Sequence, residues 1–103
     1  MEILEYALSS DKREEILKYC DRRLYKLEEY EHVIGTPLMD TLLTYYKSGF
    51  STVKAAEALG IHRNSFRYRM QKIWELLELE PEDYMAYLEL VNCMLIRRRM
   101  HGA

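Results

Sequence analysis

Between His62 and Lys72 the chain carries four cations, Arg63, Arg67, Arg69 and Lys72, and no acid. Asn64, Ser65, Tyr68 and Gln71 are interleaved with them. A guanidinium is a planar fork that fits the O6 and N7 edge of guanine, and a carboxamide makes the same two-point contact with adenine. Asn64, Arg67 and Tyr68, with Ser65 and Gln71 at the margins, are therefore candidates for base-edge contacts in double-stranded DNA. A compact charge is better suited to phosphate, which fixes register without reading sequence. Arg63, Arg69 and Lys72, with Lys54 and Lys47 earlier in the chain, are the candidates for that task. The plain alternative for each is a solvated or salt-bridged side chain. Arg63 lies toward the core rim, where a carboxylate could pair with it, and the Tyr68 ring could pack under a neighbouring loop.

These side chains need a scaffold, and the residues around them describe one. Phe66, Met70, Ile73 and Leu77 recur at steps of four, three and four, which predicts a helix from about Arg63 to Glu78 with that face in the core. Asn64, Arg67, Tyr68, Gln71 and Glu75 then fall on or near the opposite face. Ala55 and Ala56 are small enough for a second helix to cross closely, and Leu59 and Ile61 bracket the turn. Gly60 can take the positive φ that a sharp corner requires. The layout from about 51 to 78 is a helix-turn-helix, in which the second helix enters the major groove and the first braces it.

The run from Thr36 to about Met94 resembles the C-terminal DNA-binding domain of the PucR/CdaR family of bacterial transcriptional regulators. The resemblance is carried by TPLMDTLLTYY, by AAEALGIHRNSFRYRMQKI and by the closing helix, with HRNSFRYRM the nearest match. Family members typically have Thr-Leu where this chain has Ser65-Phe66, and Leu in place of Met70. The shorter LGIHRNSFR is also similar to the helix-turn-helix of Fis and of enhancer-dependent activators. The resemblance implies a Fis-like all-α fold and sequence-specific DNA binding by a regulator that usually carries sensory domains upstream. No such domain falls within these residues.

Composition agrees with one helical domain. Of the 103 residues 49% are apolar and 31% charged, with four Gly and two Pro, which disfavours a β-rich or disordered chain. Net charge is −2, with nine acids in residues 1–31 and five between Glu75 and Asp83. A cationic segment between acidic ones suits a protein that presents one face to DNA. Cys20 and Cys93 lie in helical patterns without metal spacing and read as reduced core thiols. No apolar run approaches the roughly 18 residues of a membrane span, and the start lacks a signal peptide, so the expected compartment is the cytoplasm. His32, His62 and His101 have no spaced carboxylate or cysteine partners, and no phosphate loop or nucleophile elbow occurs. Neither an enzyme nor a cofactor or metal is expected.

Residues 1–10 read as a linker or the end of an upstream segment, and 11–100 as the helical domain. Ser10 or Asp11 opens the first helix, with Asp11 and Glu14 in capping-box spacing, and Leu17, Cys20, Leu24 and Leu27 form its stripe to about Tyr30. His32 to Gly35 connect it to a second helix, capped by Thr36 with Pro37 at its first position and ending at Ser48-Gly49. Ser51 caps the third, and His62 or Asn64 the fourth. Pro81 begins a fifth, where Tyr84, Leu88, Val91 and Leu95 form one stripe and Tyr87, Leu90 and Met94 another. Two stripes exceed what one small core needs, which points to a wide contact with the first helix or to a second copy of the chain. Arg97, Arg98 and Arg99 read as charges complementing a helix C-terminus or as a solubilising tail. The competing function is a helical protein-interaction or dimerisation module without DNA binding.

Overall fold

Every run of apolar residues spaced three and four apart is a helix in the computed structural model, which describes residues 12–102. The helices are α1 (Arg13–Ile34), α2 (Leu38–Lys47), α3 (Thr52–Leu59), α4 (Arg63–Leu77) and α5 (Tyr84–Gly102), with no strand among the described residues. Over the described residues the architecture is all-α with five helices, as the spacing predicts. All five contribute to one core. Cys20, Leu24 and Leu27 enter from α1, Leu38 and Leu42 from α2, Ala55 and Ala56 from α3, Phe66, Met70 and Ile73 from α4, and Tyr87, Leu90 and Val91 from α5.

The most extensive contact between elements is α1 with α5, which accounts for much of the apolar surplus on those helices. α5 turns Cys93 and Ile96 inward and leaves Tyr84 exposed and Leu88 half-buried, so the stripe read from the sequence is rotated. Across the contact, Glu89 Oε1 accepts from Arg23 Nε at 2.6 Å and from the Tyr19 hydroxyl at 2.7 Å. Arg97 Nη1 donates to Asp21 at 3.2 Å and to Glu28 at 2.8 Å. Such partly exposed pairs contribute about 0–1 kcal/mol each, whereas each fully buried Leu contributes about 1.5–3 kcal/mol. Burial therefore holds the helices together, and the ion pairs set their register. Arg97 is a cross-brace rather than part of a tail. Burial pushes the Cys93 thiol up to about 12, with the neighbouring Cys20 thiol adding to the shift. Both cysteines are free and buried.

Several boundaries differ from the sequence reading. α1 continues to Ile34, past Tyr30, because nothing in His32–Ile34 breaks it; it stops at Gly35, whose φ is +90°. Ser10 and Asp11 lie outside the described residues, and Lys12 occupies the N-cap without a side-chain capping bond. Pro37 is the N-cap of α2 rather than its first residue, and the Thr36 side chain does not cap. Glu31 does so from α1, its Oε2 accepting the Met39 N–H at 2.6 Å. Pro81 lies in a turn, and α5 begins at Tyr84, where Asp83 Oδ1 accepts the Ala86 N–H at 3.1 Å.

Aromatic packing closes the end of the core beside α2. Phe50 has φ +62°, unusual without a glycine, and its ring lies 4.9 Å from that of Tyr84 and 5.3 Å from that of Tyr45. Ring contacts of this kind contribute about 0.5–1.5 kcal/mol each and offset the backbone strain. Trp74 Nε1 donates to the Tyr87 hydroxyl at 2.7 Å, and that hydroxyl donates to the Pro81 carbonyl, tying α4, α5 and the turn together.

Candidate nucleic-acid interface

The turn between α3 and α4 is built by local chemistry. Ser51 Oγ accepts the Lys54 N–H at 3.2 Å and caps α3. Ala55 and Ala56 are buried, so α4 passes close to the α3 backbone. Gly60 is left-handed with φ +69°, and the Ile61 N–H returns to the Ala56 carbonyl at 3.0 Å. A helix ended this way satisfies carbonyls that would otherwise be orphaned. His62, not Asn64, caps α4: its Nδ1 accepts the Asn64 N–H at 3.0 Å. The imidazole is thus committed to the turn, and Asn64 keeps its carboxamide for the surface.

With Phe66, Met70 and Ile73 buried, α4 turns its other side outward. Asn64, Ser65, Arg67, Tyr68 and Gln71 are all exposed, as are Arg63 on α4, Lys54 on α3 and Lys47 at the end of α2. Among the described residues, no ion pair involves Arg63, so the carboxylate partner considered for it is not found there. Arg67 has none either, and it sits at the rim of a recess with Thr52, Trp74 and Glu82. Asn64, Ser65, Tyr68 and Arg69 line a different depression of about 350 Å³, on the side of α4 that faces Thr36. The structure thus brings Asn64, Ser65, Tyr68 and Arg69 together and sets Arg67 on the opposite flank.

Arg69 and Lys72 depart from a simple solvated charge. Arg69 is half-buried and donates from Nη1 to Thr41 Oγ1 at 3.2 Å. Thr41 is fully buried, and its own hydroxyl donates to the Pro37 carbonyl at 2.6 Å. Lys72 pairs with Glu75 at 3.4 Å and lies 5.4 Å from the centroid of the Tyr68 ring. The hydrogen bond and charge of Glu75 push the Lys72 ammonium up, so it stays charged. Glu75 also accepts from Gln71 Nε2 at 3.1 Å. Tyr68 also neighbours the phenol of Tyr30 from α1, which lies near Lys72 and Glu75 as well. An acid and a helix outside the turn thus act on the exposed face of α4.

Sequence reasoning missed Tyr30, Thr41 and the role of Glu75. Thr41 left one signal, a polar residue at the helical spacing of Leu38, Leu42 and Tyr45, the buried face of α2. The arrangement can bind a polyanion along α4 and present hydrogen-bonding groups to base edges. Among the described residues no group of three metal-ligating side chains occurs, and no helix is long and apolar enough to cross a membrane.

Residues 38–95 match the family described as the PucR C-terminal helix-turn-helix domain. The chain is also similar to the proline-responsive transcriptional activator PutR of Bacillus subtilis (strain 168), with 30% identity over 98 residues. That alignment covers 94% of this chain and 24% of the activator, so the chain spans about a quarter of the curated relative's length. No solved structure gives a significant match.

Proposed function

This chain belongs to the PucR C-terminal helix-turn-helix family, DNA-binding domains of transcriptional regulators, and we propose that it reads duplex DNA with the outward face of α4. Asn64, Arg67 and Tyr68, flanked by Ser65 and Gln71, contact base edges. Arg63, Arg69, Lys72, Lys54 and Lys47 contact phosphates. The observation that carries this reading is the first half of α4, which is cationic, contains no acid, and is held outward by the capped turn at Gly60 and His62. Sequence-independent phosphate contacts then supply much of the affinity, and base contacts supply discrimination.

Residues 11–100 act as one DNA-binding unit, with residues 1–10 as a linker. The working form on DNA is a homodimer reading two half-sites about one helical turn, roughly 34 Å, apart, because one domain offers few base contacts. An open groove of about 780 Å³ between α1 and α5, lined by Ile16, Tyr19, Met85 and Leu88, supports an association surface on those helices. A sensory portion lies outside these residues, a reading supported by the extra length of the similar activator, whose name describes a response to proline.

The test is selection of duplexes from a randomised pool by the chain, followed by footprinting and salt titration. Enrichment of a two-fold repeated sequence, with log Kd linear in log salt, is the expected result. Recovery of unenriched sequence would refute sequence-specific reading, and protection of one unrepeated half-site at saturation would refute the dimer.

A further inference from the structure

Four cations are half-buried among the described residues: Arg23, Arg69, Lys72 and Arg97. Three of them have carboxylate partners, Glu89 for Arg23, Glu75 for Lys72, and Glu28 with Asp21 for Arg97. Arg69 has no carboxylate partner among the described residues. Its one hydrogen bond there is to the neutral hydroxyl of Thr41, at 3.2 Å. A guanidinium withdrawn partly from water without a counter-charge is poised for an anion that arrives from outside.

Thr36 stands on the same depression as Arg69, with Asn64, Ser65 and Tyr68. Its hydroxyl is spared the cap of α2 because Glu31 takes the Met39 N–H. None of the hydrogen bonds among the described residues uses that hydroxyl. A neutral donor and a fixed guanidinium thus line one depression beside the first turns of α4.

We propose that Thr36 and Arg69 form a clamp for one DNA backbone phosphate, with the buried Thr41 as the residue that positions Arg69. This rests on α4 being the DNA-reading helix. Thr41 spends its proton on the Pro37 carbonyl, at 2.6 Å, and its lone pair on Arg69, so its orientation is set from both sides. Holding one guanidinium nitrogen against α2 leaves the others for the phosphate and reduces the side-chain freedom lost on binding. The clamp carries no sequence information. It fixes how deeply and at what angle Asn64 and Tyr68 enter the groove.

The experiment measures Kd by fluorescence anisotropy for the 103-residue chain, on a duplex selected from a randomised pool and on a scrambled duplex, across a salt series. A hydrogen bond to a charged group is commonly worth enough for a roughly tenfold change in affinity. Thr36→Val is expected to weaken both duplexes roughly tenfold with the salt slope unchanged, and Thr36→Ser to restore binding. Arg69→Gln is expected to weaken both and to lower the magnitude of the log Kd against log salt slope by about 1. Thr41→Val is expected to weaken both in the wild-type background and to add nothing in the Arg69→Gln background. Thermal melts of each variant monitor folding.

Wild-type affinity in Thr36→Val, with the wild-type chain binding DNA, would overturn the clamp alone. An equal loss from Thr41→Val with or without Arg69 would assign Thr41 to the fold and overturn its positioning role. A wild-type chain that binds no duplex would overturn the DNA-reading assignment and the clamp with it.

Discussion

Glu31 Oε2 lies 2.6 Å from the backbone nitrogen of Met39, so the last turn of α1 caps the first turn of α2 from across the connection at 35–37. A helix whose N-cap is Pro37 has no side-chain acceptor of its own there, and the carboxylate also complements the positive end of the helix. Glu31→Ala is expected to cost about 1–2 kcal/mol and to lower Tm by several degrees. Glu31→Gln, which keeps an acceptor, should cost less. Equal melting of all three chains would show that the contact stabilises nothing.

Gly60 has φ +69°, and a Cβ added there would meet nothing within 4 Å. Substitution therefore costs backbone strain rather than a clash. Gly60→Ala is expected to lose about 1–2 kcal/mol, Gly60→Asn less, and the β-branched Gly60→Val about 1–3 kcal/mol together with DNA affinity. Chemical denaturation of the three variants checks the order. An unchanged midpoint for Gly60→Val would mean the corner is not strained.

Arg67 and Lys72 are expected to separate reading from holding under the proposed assignment. Arg67 is exposed and unpaired with any acid among the described residues, so Arg67→Ala should cost about 1–3 kcal/mol on the selected duplex, relax base preference and leave Tm in place. Lys72 begins from a different state, paired with Glu75 and set over Tyr68. Lys72→Ala should weaken selected and scrambled duplexes alike, and Glu75→Gln, which releases the lysine, should strengthen both. Anisotropy titrations on the two duplexes distinguish the roles. Equal weakening of both by Arg67→Ala would remove Arg67 from the readers.

Glu89 carries a pH dependence whose sign follows from its partners. The Tyr19 hydroxyl first, and then Arg23, hold its carboxyl below the ordinary 4.5. A group depressed in the folded chain contributes stability that is fully present above the unfolded value and is lost as pH falls through the folded one. Denaturation midpoints measured between about pH 6 and pH 3 should therefore fall on the acid side, and Glu89→Gln should flatten that limb. Solvent screening keeps the contribution small. An identical pH profile in the variant would assign the acid limb to other carboxylates.

The core was legible because burial imposes a period. Phe66, Met70 and Ile73 could be placed inside from their spacing, and Gly60 and Ser51 could be assigned from turn and cap chemistry that acts within a few residues. What was not legible depends on residues remote in sequence. Arg97 read as a tail because its partners Asp21 and Glu28 are 76 and 69 positions away. Thr36 fitted the local pattern of a cap, yet the competing carboxylate of Glu31 won the position. On the candidate site, the outward direction of Asn64 and Arg67 followed from helix geometry. The half-burial of Arg69 and Lys72 did not, because it is the flanking residues Thr41, Tyr68 and Glu75 that shape their surroundings.

The pairing of α1 with α5 joins the two ends of the described chain. The contacts of Glu89 and Arg97 with α1 span 66 to 76 residues, whereas α2, α3 and α4 meet their neighbours across short turns. Long closures carry the larger entropic cost and form later when local contacts can form first. The helix-turn-helix is thus expected to assemble as an early unit, with the terminal helices closing over it as a latch. Native-state hydrogen exchange would report this as shared, lower-energy opening of the amides of Leu24 and Val91 relative to those of Leu42 and Ile73. Uniform protection would instead make latch and core one cooperative unit. Under the latched order, strain applied to α1 loosens the domain from its ends inward, and α4 is the last part to lose its shape.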